Sequence, residues 1–128
     1  MNKILEEGEW IKMFKLVEGK DTFEKALPSV NFEKCFQLVK DEKPLGVGTI
    51  NKDKENLIYI YIKQELRGNG YGKILFSKMM EQAKKEGYQE VKVTFPKDNI
   101  QMVKIIEDNQ GIQQSIDNNQ VKYVISLK

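Results

Sequence analysis

The residues best placed to do chemistry in this 128-residue chain are Arg67-Gly68-Asn69-Gly70-Tyr71-Gly72. Ahead of them, Leu57-Ile58-Tyr59-Ile60-Tyr61-Ile62 is an apolar and aromatic run that reads as a strand. Behind them, Ile74, Leu75, Met79, Met80 and Ala83 recur at helical spacing. A glycine-rich turn between a strand and a helix can hold an anion. The first N–H groups of a helix have no intrahelical partner, and the helix dipole favours negative charge beside them. Glycines let the backbone approach a ligand closely and adopt dihedrals that other residues resist.

The spacing rejects two nucleotide-binding alternatives. A dinucleotide turn needs G-x-G-x-x-G, but Gly68, Gly70 and Gly72 stand at alternate positions. A P-loop needs Gly-Lys followed by a hydroxyl residue for magnesium, whereas Gly72-Lys73 is followed by Ile74.

Elsewhere the side-chain inventory is restrictive. The chain has no histidine, which removes the usual general base at neutral pH and the commonest zinc ligand. Carboxylates, tyrosines, lysines, backbone dipoles and water remain. Cys35 is the sole cysteine, so no intrachain disulfide forms, and its alternating surroundings mark a small buried strand residue. The acidic residues are dispersed, with no metal-ligand spacing, and no metal site is expected. Tyr59 and Tyr61 share one face of their strand, opposite Ile58, Ile60 and Ile62, and either fill a core or reach a site. Tyr88 reads as packing at a helix–strand junction, and Tyr123 lies in a closing hairpin.

The positioning elements follow from the pattern. The length suits one domain, residues 1–128, with a real core. Residues 11–17 read as a strand and 21–27 as a short helix ended by Pro28. Residues 33–39 and 45–51 read as a hairpin joined by Lys40-Asp41-Glu42-Lys43-Pro44. Gly46 and Gly48 in its second strand mark a bulge or a close backbone approach. The helix after the glycine loop runs to Glu86, with Gly87 beyond its end. Residues 90–95 form a strand ended by Pro96. Asp98-Asn99-Ile100-Gln101 has the form of a capping box opening a second helix, which Gly111 closes. Residues 112–116 and 121–127 make a last hairpin. The fold class is α/β (α+β), with a mixed, mostly antiparallel central sheet of about seven strands flanked by helices. The glycine loop follows the carboxyl end of a central strand, where open sheets bind ligands.

Arg67-x-x-Gly70-x-Gly72, opening an amphipathic helix after a hydrophobic strand, resembles the acyl-CoA-binding signature of the GNAT superfamily of N-acetyltransferases. The order of elements from Ile11 to Leu127 is similar to that family's, in a short single-domain form with a reduced region between the first two strands. The resemblance implies acetyl-CoA or coenzyme A as co-substrate. It implies that the N–H groups of Asn69, Gly70, Tyr71, Gly72 and Lys73 wrap the pyrophosphate, with Gly68 in the same loop and Arg67 beside it. It implies that Ile60, Tyr61 and Ile62 offer main-chain groups to the pantetheine arm across a gap from the strand at 90–95. Asn99 matches an asparagine that commonly binds pantetheine in the family. As a bare sequence feature it is equally a capping residue.

The activity so implied is transfer of an acetyl group to a primary amine by direct attack in a ternary complex. Such a reaction needs a neutral amine, a donor for the charge developing on the carbonyl oxygen, and stabilisation of the departing thiolate. The family's usual acid is a tyrosine seven residues after the asparagine. Here that position is Ile106, flanked by Ile105 and Glu107. Tyr61 and Tyr123 are the remaining candidates. Glu55 stands where some members keep a base, inside the charged turn Lys52-Asp53-Lys54-Glu55, where it also reads as a surface carboxylate. The missing tyrosine keeps a second possibility open, a weakly active or non-catalytic module that binds coenzyme A or a protein. The acceptor is expected to be a small-molecule or peptide amine. Net charge is only +2 with scattered lysines, so no nucleic-acid partner is expected. No stretch approaches the roughly eighteen apolar residues of a membrane span, and acidic residues stand where a signal peptide needs apolar ones. A cytoplasmic monomer or homodimer without a membrane partner is expected.

Overall fold

The structure, a computed structural model, describes residues 13–18, 34–51 and 56–127. Seven strands form one sheet: β1 (Phe14–Glu18), β2 (Lys34–Lys40), β3 (Lys43–Asn51), β4 (Leu57–Ile62), β5 (Glu90–Pro96), β6 (Ile112–Asp117) and β7 (Gln120–Ser126). Their spatial order is β1-β2-β3-β4-β5-β7-β6. Every neighbouring pair is antiparallel except β4–β5, which is parallel. Helix α1 (Tyr71–Lys85) crosses from β4 to β5, and α2 (Ile100–Asp108) crosses from β5 to β6. A single 3₁₀ turn, Gln64–Leu66, precedes the glycine loop. The expected mixed, mostly antiparallel sheet is therefore present. The expected helix at 21–27 lies outside the described residues.

Period-two alternation assigns the faces. Phe36, Gly48 and Ile60 are cross-strand neighbours on the helix face, and a Cβ on Gly48 would stand 2.7 Å from Met79 Cγ of α1. The main core gathers on this side, from Ile50, Ile58, Val91, Val93, Val121 and Ile125 of the sheet against Leu75, Phe76, Met79 and Ile106 of the helices. The opposite face holds Cys35 and Val47, with Tyr61 packed against them. Gly46 also proves to be a close approach, because a Cβ there would meet the Tyr61 carbonyl oxygen at 2.5 Å.

Local chemistry moves several boundaries. The β2–β3 hairpin turns on two residues, Asp41 and Glu42, both at positive φ (52° and 65°) as a tight primed turn requires. The five-residue connection expected from Lys40 to Pro44 is thus too long. Pro44 sits within β3, next to a register shift that places Leu38 opposite Gly46 and Val39 opposite Pro44. A bulge is where a strand tolerates a residue without an N–H. Helix α1 ends in a Schellman motif, with Tyr88 N–H donating to the Ala83 carbonyl and Gly87 N–H to that of Lys84. Helix α2 ends the same way, but Gln110 occupies the left-handed position at φ 63°. Gly111, expected to close that helix, instead follows at a point where a Cβ would collide with Ile106 Cγ2.

The start of α2 is also displaced by one residue from the capping box expected at Asp98. Asn99 is the N-cap, and its Oδ1 accepts from Met102 N–H at 3.2 Å. An N-cap side chain bonds the N–H two or three residues on, and Asn99 is the residue in register to do so.

Candidate functional site

The site begins where the sheet splits. β4 and β5 are in register only at Leu57↔Lys92 and Ile58↔Val93. This end is fastened by Lys92 N–H to the Asn56 carbonyl (3.2 Å) and by Asn56 Nδ2 to the Glu90 carbonyl (3.2 Å). Past Ile58 the strands separate. The direction of the β4 main chain follows from alternation. Lys63 N–H donates to Leu45 of β3 (3.1 Å), so Tyr61 and Tyr59 also direct their main-chain groups to β3. Asn56 directs its carbonyl to β5, so Ile58, Ile60 and Ile62 direct theirs the same way. Ile60 and Ile62 therefore face the gap, whereas Tyr61, grouped with them on the sequence, does not.

The gap opens onto the N-terminus of α1. Gly70 is its N-cap in the left-handed region (φ 80°), and Gly68 has φ 84°. Both values favour glycine. A Cβ on either would meet nothing within 4 Å, so the loop borders open space. The first intrahelical bond runs from Ile74 N–H to the Gly70 carbonyl, which leaves the N–H groups of Tyr71, Gly72 and Lys73 without intrahelical partners. The first turn contains no acidic residue to complement the dipole. It contains Lys73, a cation at the positive end of the helix, an arrangement that a bound anion would make favourable.

Between the split strands, the loop and α2 lies an open cleft of about 630 Å³. Its walls include Ile60, Tyr61, Ile62, Arg67, Gly68, Gly70, Tyr71, Gly72, Lys73 and Asn99. Ten of the eleven expected cofactor positions are thus brought together. The eleventh, Asn69, supports the loop from behind, its Nδ2 donating to the Leu66 carbonyl at 3.0 Å. Tyr71 turns inward, its ring 5.6 Å from that of Phe14. Arg67 Nε donates to the Ile62 carbonyl at 3.0 Å, and its Cζ lies 5.3 Å from the centre of the Tyr61 ring.

The expected catalytic residues are not gathered in the same way. Tyr59 and Tyr61 both line the cleft, Tyr59 the more exposed of the two. Tyr123 does not line it. That residue is 7% exposed in β7, its ring stacked on Phe95 at 5.6 Å, because the inward face of β7 belongs to the core. Glu55 lies outside the described residues. Ile106 is fully buried, so α2 turns a core residue inward where the family resemblance would place a tyrosine.

On the sequence Gln101 reads as part of a capping box and Ile105 as a neighbour of Ile106, with no site role for either or for Lys104 and Asp108, yet these four help form the α2 wall of the cleft. Their three- and four-residue spacing from one another marks a single helix face, which a count along α2 from Asn99 could have found. Asp108 is the one carboxylate lining the cleft among the described residues, facing three cations, Arg67, Lys73 and Lys104. The balance favours an anionic ligand. No cluster of three or more histidine, cysteine, aspartate or glutamate residues able to hold a metal occurs among the described residues. No helix among them is long and apolar enough to cross a membrane.

Known proteins share this architecture. An N-acetyltransferase from Campylobacter jejuni, PseH, superposes with a TM-score of 0.69 at 18% identity over 91% of this chain and 99% of its own. An acetyltransferase from Bacillus subtilis, solved in complex with CoA, gives 0.68 at 17% identity over 90% and 98%. The IAA acetyltransferase from Bacillus cereus gives 0.70 at 13% identity over 88% and 99%. At these identities the likeness concerns the fold. No curated protein matches the chain by sequence. The acetyltransferase (GNAT) family model, however, matches residues 5–112, most of the chain. Split parallel strands, a glycine-rich helix start between them, and that match lead to one statement: the chain belongs to the GNAT acetyltransferase family.

Proposed function

We propose that residues 1–128 act as one domain that transfers an acetyl group from acetyl-CoA to a primary amine, by direct attack within a ternary complex. The observation that carries this is the separation of β4 from β5 beyond Ile58 and Val93, opening onto the free N–H groups of α1. An extended chain with amide groups can dock there as a substitute strand, with Ile60 supplying both a main-chain donor and an acceptor. The N–H groups of residues 69–73 suit a pyrophosphate, and Lys73 adds charge. Asn99 can cap α2 through Oδ1 while its Nδ2 remains available to a ligand. Solved relatives carrying CoA or acetyl-CoA support this choice of co-substrate.

When bound, acetyl-CoA supplies an acyl group already activated as a thioester. The chain's own task is then mainly positioning, which can provide a large part of a rate enhancement. The Ile60 N–H is the donor we assign to the charge developing on the carbonyl oxygen. Tyr61, at the cleft wall, is the assigned candidate for the proton that the departing sulfur needs, and Glu55 the candidate base for the incoming amine. The acceptor is a small-molecule or peptide amine.

Calorimetry with acetyl-CoA, followed by thiol release with a panel of amines, polyamines, aminoglycosides and peptides, tests the proposal. Binding in the micromolar range and amine-dependent release are expected. No binding at millimolar cofactor would sink it. Gly70→Trp should abolish binding, since its side chain would enter the open space before α1 at a positive φ. A fully buried Ile106 favours a second reading, a GNAT-fold module that binds CoA with little transfer. Tight binding with no thiol release from any amine would select it.

A further inference from the structure

The arginine of the glycine loop does not stand free beside the helix start. Its Nε donates to the Ile62 carbonyl at 3.0 Å, and its guanidinium lies over the Tyr61 ring at 5.3 Å. Ile62 is the last residue of β4, and its carbonyl is the final acceptor that the strand directs toward β5. Tyr61 is anchored from below against Cys35 and Val47 on the opposite face of the sheet. Both contacts use the planar, delocalised form of the guanidinium, which a lysine ammonium does not reproduce.

We propose that Arg67 is an end stop for β4, a positioning residue that sets the register of the substitute strand rather than a direct phosphate ligand. With the Ile62 carbonyl occupied, β4 offers the gap only the N–H and carbonyl of Ile60 and the N–H of Ile62. An incoming amide chain then has one acceptor to meet, at Ile60, and cannot slide one step outward toward the loop. The anion is left to the backbone N–H groups of α1 and to Lys73. This rests on the cofactor assignment made above. It adds that Arg67 and Tyr61 act as a single unit on the pantetheine half of the ligand.

Two ligands separate this role from phosphate pairing: CoA, and 3′-phosphoadenosine 5′-diphosphate, which keeps every phosphate and lacks the pantetheine arm. Arg67→Ala, Arg67→Lys and Tyr61→Leu should each weaken CoA binding about tenfold, the scale of one charge-assisted hydrogen bond with a stacked cation. The nucleotide should bind all three variants within about twofold of the parent. Tyr61→Phe, which keeps the ring, should retain CoA affinity. Arg67→Ala combined with Tyr61→Leu should be no weaker than either alone, as residues acting through one contact are non-additive. Thermal melts establish that each variant is folded, and Arg67→Lys carries the test if Arg67→Ala is not. Equal weakening of both ligands by Arg67→Ala, with Tyr61→Leu harmless, would overturn the end stop and leave the cofactor assignment intact. Failure of the parent protein to bind CoA would overturn that assignment and the end stop with it.

Discussion

Single residues decide how sharply this chain turns, and several, Glu42 and Gln110 among them, do so in the left-handed region. Gln110 holds the left-handed position at the end of α2, where a side chain costs about 1–2 kcal/mol relative to the right-handed region. At the end of α1 the same position is filled by Gly87. Gln110→Gly should therefore stabilise the protein by about 0.5–1 kcal/mol, after allowing for the extra freedom glycine gains in the unfolded chain. Urea titration measures it, and an unchanged or lower midpoint would contradict the assigned strain. The α2 ending also shows where residue types mislead. A glycine after an apolar helix face reads as its terminator, yet Gly111 is needed for closeness to Ile106 and not for its φ. Asp98 and Asn99 are chemically interchangeable as caps, and only the register of the helix face separates them.

At the level of elements, periodicity was a sound guide to what the strands and helices are. It was a poorer guide to where they end and which way their main chains face. The Leu57–Ile62 strand, the helix after the glycine loop and the glycines of β3 were all legible, because apolar spacing and missing side chains leave direct marks. The direction of the Ile60 carbonyl was not, since side-chain alternation does not reveal which neighbour a strand bonds first. Ile60, Tyr61 and Ile62 therefore looked equivalent until the pairing with β3 separated them. The α2 wall leaves no such mark, because mixed polar residues on a helix read as solvent-facing until a cleft is placed against them. Packing of α1 on β3 is testable through Gly48, whose missing side chain admits Met79. Gly48→Val should destabilise by about 1–3 kcal/mol through overpacking. Chemical denaturation checks this, and a loss below 0.5 kcal/mol, the scale of an indifferent surface change, would mean that α1 is not pressed onto that strand as described.

For the whole molecule, the sheet order explains why one cleft gathers residues from so many parts of the chain. The crossover through α1 and the return through α2 bring the loop, the end of β4 and Asn99 to one end of the parallel pair. What the sequence could not supply was the chemistry beyond the cofactor, because a residue such as Tyr123 is placed by core packing and not by a motif. A ligand that binds only the folded chain stabilises it by mass action, so acetyl-CoA at a hundred times its dissociation constant should add about 2.7 kcal/mol. Thermal melts with and without the ligand measure this. Hydrogen exchange should slow at the Ile60 amide and leave the Tyr61 amide, already committed to β3, unchanged. The split between β4 and β5 has one more effect. It gives the protein a sheet edge in its middle as well as at its sides, and an unfilled edge is a template for any passing strand. The substrate that the cleft receives would thus also act as a guard. A cell short of acetyl-CoA would hold this protein in its most adhesive form, open along an interior seam to the strands of its neighbours.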